Sequence, residues 1–330
     1  MFCAVPFTCL DVLHARYTTC CGDWLSREVQ VFGPLADPWA VWNHPQVARL
    51  RTAILEGSFE FCRGCPRYLD HQLSDARTDE CRPTMERGPR WLNFGNDPSC
   101  NLHCWSCRRE AQAIDQADFR ERVFQGLLEA FLPTCDGISL SHTGDPFASR
   151  MYREFLQSLD GSAYPRLKVR LFTNGLLLPR YWDSIAGIHA MISAIWISID
   201  AATKETYELL RRGGCWDDLL EALRLASDFC TSRKAELQLN FCVQRANFRE
   251  MPDFVRLAED FGATRVWFGM LRRWWQTPEE LAPEDLSDPK HPHHEELLRV
   301  LRDPALGHPI VASGLFREHV HANVHQQNLP

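Results

Sequence analysis

Residues 97–107 read Asp97-Pro98-Ser99-Cys100-Asn101-Leu102-His103-Cys104-Trp105-Ser106-Cys107. Three cysteines separated by three and then two residues leave a tetrahedral four-thiolate site one ligand short. They suit a [4Fe-4S] cluster in which three irons take a protein thiolate and the fourth stays open to a substrate or cofactor. On spacing alone, a zinc knuckle that borrows a distant fourth ligand is the alternative. The stretches around this loop decide the fold. Strands are expected at 91–95, 137–142, 167–173, 193–200, 236–244 and 264–270. Helical patterns fall between them, at 117–131, 149–159, 178–186, 204–211 with 216–230, and 248–260. Strands alternating with helices imply a parallel sheet with right-handed crossovers. Six such units predict an α/β fold built as a partial (β/α)6 barrel, with binding groups at the carboxyl ends of its strands.

The composition narrows the setting. The chain has 330 residues, a formal net charge of -7, 45% hydrophobic and 24% charged residues. No Lys/Arg-dense stripe suggests a nucleic-acid partner, and no apolar run approaches the roughly 20 residues that cross a bilayer. The N-terminus lacks a basic segment before its apolar stretch and does not read as a signal peptide, so the expected location is cytoplasmic. Fourteen cysteines are the outlier. The cytosol keeps thiols reduced, so they are not a disulfide framework. Their clustering, with seven in the first 81 residues and three in the 100–107 loop, reads as metal ligation.

Outward from the loop the chain divides at 82–90, RPTMERGPR, where prolines, a glycine and charges interrupt the apolar pattern. Residues 1–81 form a Cys-rich segment with two expected strands, 7–13 and 15–21, joined by a tight turn. A helix is expected at 45–57, and Cys62-Arg-Gly-Cys65 follows it. Residues 91–270 carry the barrel pattern. The extension 271–330 holds Trp274, Trp275 and a histidine group, His291, His293 and His294, which reads as a solvated loop before a helix.

The three-cysteine loop and the strand–helix alternation together resemble the radical S-adenosylmethionine (radical SAM) superfamily. Further stretches match that family in order. Thr143-Gly144-Asp145-Pro146 resembles its Gly-Gly-Glu-Pro turn, Phe172-Thr173-Asn174-Gly175 the turn after its third strand, and Ile197-Ser198-Ile199-Asp200-Ala201 the end of its fourth. Glu205-Thr206-Tyr207 through Arg211-Arg212-Gly213-Gly214 resembles the helix that follows. The resemblance implies that Cys100, Cys104 and Cys107 ligate a [4Fe-4S] cluster. It also implies that Gly144, Asp145, Asn174, Ser198, Asp200, Arg211 and Arg212 lie around SAM. The open iron would chelate the methionine part, and one electron would release a 5′-deoxyadenosyl radical that abstracts hydrogen from the substrate. The family usually places a bulky residue just before the last cysteine. Here Ser106 occupies that position and Trp105 sits one residue earlier, so the adenine contact is expected to differ.

Residues 1–65 are similar to the SPASM and twitch auxiliary-cluster modules of the same superfamily, although such modules usually follow the barrel. That resemblance implies a second, closed [4Fe-4S] cluster on Cys3, Cys20, Cys62 and Cys65, with Cys21 the alternative to Cys20 and Ala15 at the module's glycine position. Cys9 and Cys81 are unassigned, and a structural zinc site is the alternative for the group.

Strand parity adds an expectation about the interior. Side chains switch faces at each residue of a strand. Leu237, Leu239, Phe241 and Val243 should therefore pack on helices while Gln238, Asn240, Cys242 and Gln244 face the lumen, and Ser198 and Asp200 do so from the neighbouring strand. This adds Asn240 and Gln244 to the SAM candidates and makes Cys242 a candidate hydrogen donor. The leading expectation is a radical SAM oxidoreductase acting on a small molecule or short peptide, served by an electron donor such as flavodoxin or ferredoxin. A peptide maturase, or an epimerase using Cys242, is the alternative enzyme. An iron–sulfur electron-transfer or sensor protein is the non-enzyme alternative.

Overall fold

β-Branched and aromatic residues crowd the expected strands, and in the computed structural model the described residues form nine strands. The structure describes residues 1–13, 16–20, 25–33, 37–65, 68, 73, 75–111, 124–271 and 275–312. Cys21, Ala15, Trp274 and the first part of the 117–131 helix lie outside the described residues. The chain folds as two compact units, Met1–Ser99 with Ile114–Leu171 and Ser184–Ile192, and Cys100–Ala113 with Phe172–Asp183 and Ser193–Pro330. These units cut across the 1–81 and 91–270 segments expected from the sequence.

The first unit carries β1 (Cys9–Leu13), β2 (Arg16–Thr18), β3 (Val31–Phe32), β4 (Trp91–Gly95), β5 (Gly137–Leu140) and most of β6 (Lys168–Thr173). β2 pairs antiparallel with β1 and β3, and β4, β5 and β6 pair in parallel. The N-terminal ribbon is not a separate hairpin. β1 lies parallel to β4 along its whole length, from Cys9↔Trp91 to Leu13↔Gly95. The expected linker is held as well. Trp42 Nε1 donates to the Arg87 carbonyl at 2.8 Å and Asn43 Nδ2 to that of Met85 at 2.9 Å. Arg51 is wholly buried in the helix Pro45–Leu55. It donates to the carbonyls of Pro6 at 2.9 Å and Pro83 at 3.2 Å, with its guanidinium 4.1 Å from the Trp42 ring. One buried cation thus ties three chain segments by satisfying their carbonyls.

The second unit carries the end of β6, β7 (Ile192–Ser198, from Ser193), β8 (Glu236–Val243) and β9 (Arg265–Met270), with β7, β8 and β9 parallel. The expected alternation holds. Leu237, Leu239, Phe241 and Val243 are buried, in register with Ile195, Ile197, Phe268 and Met270 on the helix-packed face. The helices Trp216–Arg233 and Met251–Asp260 supply the apolar cover through Leu219, Leu223, Phe254 and Val255. Beyond β9 the chain returns. Val266 N donates to the Ile310 carbonyl at 2.8 Å and Ala312 N to that of Val266 at 2.9 Å, so the last strand is not left with an open edge. Among the described residues no helix is long and apolar enough to cross a membrane.

Candidate functional site

In the second unit the loop after Ser99 turns on backbone hydrogen bonds, with Cys107 N and Arg108 N both donating to the Cys104 carbonyl at 3.0 and 2.9 Å. Each thiol has a nitrogen donor beside it. Cys100 Sγ receives Leu102 N at 3.5 Å and Asn174 Nδ2 at 3.7 Å. Cys104 Sγ has Arg211 Nη1 at 4.0 Å, and Cys107 Sγ has Arg108 Nη2 at 3.2 Å. Burial pushes the Cys104 thiol up, and the Arg211 charge opposes that push. Burial also works against the charge of Arg108, but Cys107, Cys100 and Cys104 outweigh it and hold the guanidinium protonated. Donors and cations of this kind favour thiolates over thiols. Among the described residues no three His, Cys, Asp or Glu side chains close on a single point as one bare metal ion would require.

The other candidates of this unit lie at the carboxyl ends of its strands. Asn174 follows β6, and its amide reaches Asn101 Oδ1 at 2.9 Å. The next residue, Gly175, has φ +88, which a residue with a side chain rarely adopts. Asp200, two residues beyond β7, lies in the left-handed region at φ 65, a strained setting for a non-glycine residue. The strain is held by Cys242 N donating to its Oδ1 at 2.7 Å and by Asn247 Nδ2 donating to its carbonyl at 2.8 Å. Arg211 Nη2 pairs with Asp200 Oδ2 at 2.8 Å. Burial pushes the Asp200 carboxyl up, and Arg211 and the Cys242 amide oppose it. Burial disfavours charge on Arg211 too, but Asp200 and Cys104 outweigh it and push its pKa above the usual guanidinium value.

Arg211 therefore differs from its expected role in part, since one of its nitrogens is occupied by Asp200. Its Nε and Asn240 Nδ2 are buried with no acceptor among the described residues. Ser198 and Asn240 face each other across β7 and β8, and Gln238 Nε2 donates to Asn240 Oδ1 at 2.6 Å. Gln244 is buried, with Nε2 on the Cys242 carbonyl at 3.4 Å. Cys242 is half-buried on the same row, opposite Gly269. Arg212 is exposed, and its carbonyl receives His103 N at 3.1 Å. Three donor-flanked thiols and two orphaned buried donors fit a [4Fe-4S] cluster and the oxygen-rich groups of SAM. The sequence reading missed Arg108, whose only signal is its position next to Cys107.

In the first unit, Gly144 and Asp145 form a tight turn. A Cβ on Gly144 would stand 2.5 Å from the Ser99 carbonyl oxygen and 2.6 Å from that of Asp97, so glycine is required there. Asp145 is buried, its N–H on the Ser99 carbonyl at 2.8 Å and its Oδ1 accepting Phe147 N at 3.0 Å. Its carboxylate therefore serves the turn. Asp97, also missed, organises the same segment by accepting Ser149 Oγ at 2.6 Å and Ser99 N at 2.8 Å.

The same unit gathers Cys3, Cys20, Cys62 and Cys65 on one pocket walled by Leu25, Leu50, Ile54 and Phe59. The 62–65 turn closes with Cys65 N on the Cys62 carbonyl at 2.8 Å. Burial pushes the Cys62 thiol up to about 12, and Cys65 and Cys3 add to the push. Cys9 lies on β1, and Cys81 is buried with its Sγ 3.4 Å from Thr78 Oγ1.

Residues 98–236 match the family model described as Radical SAM superfamily. The chain is 23% identical over 177 residues to a probable GTP 3',8-cyclase of Methanocaldococcus jannaschii, covering 53% of this chain and 56% of that protein. It is 27% identical over 169 residues to the GTP 3',8-cyclase of Alkaliphilus oremlandii, covering 49% and 50%. The chain thus spans about half the length of the curated relatives it matches. Among solved structures it is similar to Streptococcus suis SuiB bound to precursor peptide SuiA, with TM-score 0.48 and 13% identity over 88% of this chain and 66% of that one. It is also similar to anSMEcpe with bound AdoMet and Cp18Cys peptide, with TM-score 0.43 and 18% identity over 60% and 56%.

Proposed function

We propose that this chain, whose residues 98–236 form a radical SAM domain, is an oxidoreductase that reductively cleaves S-adenosylmethionine and oxidises a small molecule or short peptide. When bound, the cluster and SAM supply a 5′-deoxyadenosyl radical that takes hydrogen from an unactivated carbon. The observation that carries the reading is the setting of the three loop thiols. Cys100, Cys104 and Cys107 would hold the cluster, and Asn174, Arg211 and Arg108 stand within donor range of their sulfurs. The orphaned Nε of Arg211 and Nδ2 of Asn240 supply donors for the carboxylate and ribose oxygens of SAM. Asp200 fixes the arginine that provides one of them.

The pocket of Cys3, Cys20, Cys62 and Cys65 supports a second [4Fe-4S] cluster with every iron ligated by protein. Such a cluster exchanges electrons and binds no substrate, which favours net oxidation of the substrate. A one-electron donor such as flavodoxin or ferredoxin supplies the electron for SAM cleavage.

Anaerobic reconstitution, iron counting and a SAM-cleavage assay test the reading. We expect about eight irons per chain and 5′-deoxyadenosine on reduction. Replacing Cys100, Cys104 and Cys107 by Ala should remove about four irons and all 5′-deoxyadenosine. A triple variant that still cleaves SAM overturns the assignment.

A further inference from the structure

The chain that follows β9 returns to the cysteine loop within the second unit. Gln276 is buried, and its Nε2 donates to the Trp105 carbonyl at 2.7 Å, between Cys104 and Cys107. The Trp275 ring stands edge-on to the Trp105 ring, with centroids 6.2 Å apart at 78°. The guanidinium of Arg109 lies 4.5 Å from the Trp275 centroid. Three contacts of different kinds therefore fix residues 275–276 on the loop. The indole Nε1 of Trp275 is nevertheless shut off from solvent with no acceptor among the described residues.

An indole N–H is a donor only and, when buried, normally has a partner. An acceptor brought by a ligand beside the loop would satisfy it. If SAM binds there, its carboxylate is taken up at the cluster. The hydrogen-free nitrogens of the purine are then acceptors at the edge of a flat ring, suited to an indole edge. Trp105, one residue displaced from the position before Cys107, is occupied in propping Trp275. We propose that Trp275, from the extension beyond the barrel strands, is a binding residue for the purine of SAM, donating its indole N–H to a ring nitrogen. Trp105 and Gln276 act through Trp275 as positioning residues. This rests on the SAM-binding reading above.

The test uses the anaerobically reconstituted full chain and the non-cleavable ligand S-adenosylhomocysteine, with binding read by equilibrium dialysis. Trp275→Phe keeps an aromatic ring and removes the N–H. We expect its affinity for S-adenosylhomocysteine to fall about tenfold, the size of one hydrogen bond to a bound ligand. Affinity for methionine alone, which lacks the purine, should stay within about twofold, and the iron content should be unchanged. The 1-deaza, 3-deaza and 7-deaza analogues of S-adenosylhomocysteine give a second arm that needs no variant. One of them should bind the wild-type chain about tenfold more weakly and show no further loss with Trp275→Phe. Equal losses for methionine and S-adenosylhomocysteine, or deaza analogues that all bind like the parent, overturn the proposal. A wild-type chain that holds its clusters but binds no S-adenosylhomocysteine overturns the SAM reading itself.

Discussion

The two cysteine groups share a ligand type and differ in nearly everything around it. The loop thiols Cys100, Cys104 and Cys107 have amide or guanidinium donors within 4.0 Å. The thiols Cys3, Cys20, Cys62 and Cys65 share their pocket with leucine, isoleucine and phenylalanine, and burial pushes Cys62 up. Donors and cations stabilise added negative charge on a cluster, and an apolar wall withholds that help. A cluster in the apolar pocket would be the harder to reduce and would rest oxidised. It would then be ready to take an electron from a strongly reducing substrate radical. On the proposed reading, the surroundings, and not the cysteines, would divide the two duties.

The same contrast recurs in two acids on the strands. Asp200 is buried and paired with Arg211, whereas half-buried Asp11 on β1 accepts a hydrogen bond from neutral Asn93 at 2.6 Å. Arg211→Met should have the larger effect. It strands the Asp200 charge and is expected to cost about 3–5 kcal/mol, read as a lowered midpoint of chemical unfolding of the apoprotein. A loss under about 1 kcal/mol would show that the pair contributes little and that water reaches Asp200.

Asp11 should act more weakly and with a pH signature. Burial pushes its carboxyl up to about 7, against the ordinary carboxylate value near 4 in the unfolded chain. The folded state therefore holds this proton to higher pH than the unfolded state. Stability is lost as pH climbs through that interval, the reverse of the usual salt-bridged aspartate. Asp11→Asn should raise the melting temperature at pH 8 and leave it nearly unchanged at pH 4. Equal effects at both values would remove the titration from the explanation.

Much of this was legible in the sequence because it is local. The strand at 91–95 matches β4 residue for residue, and those near 168, 193, 237 and 265 start or end within two residues of their expected bounds. The alternation of Leu237, Leu239 and Phe241 with Gln238 and Asn240 predicted which residues share the apolar face because side-chain direction follows parity alone, although Gln238 and Asn240 on the other face are buried as well. What stayed hidden is non-local. A hairpin pattern at 7–21 says that strands form, but not that β1 will find β4 some 80 residues away. Nothing local in the helix pattern says that Arg51 will be buried against the carbonyls of Pro6 and Pro83. The pairing of Trp275 with Trp105 crosses 170 positions of sequence, and neither residue announces the other.

Electron paramagnetic resonance of the dithionite-reduced chain, with and without SAM, tests most directly whether the two groups hold two clusters of different duty. The Cys62→Ala, Cys65→Ala double variant should keep one signal that SAM perturbs. The Cys100→Ala, Cys104→Ala, Cys107→Ala triple variant should keep a different signal, weaker on reduction and indifferent to SAM. A triple variant whose remaining signal shifts with SAM, or a double variant whose signal does not, would contradict the account.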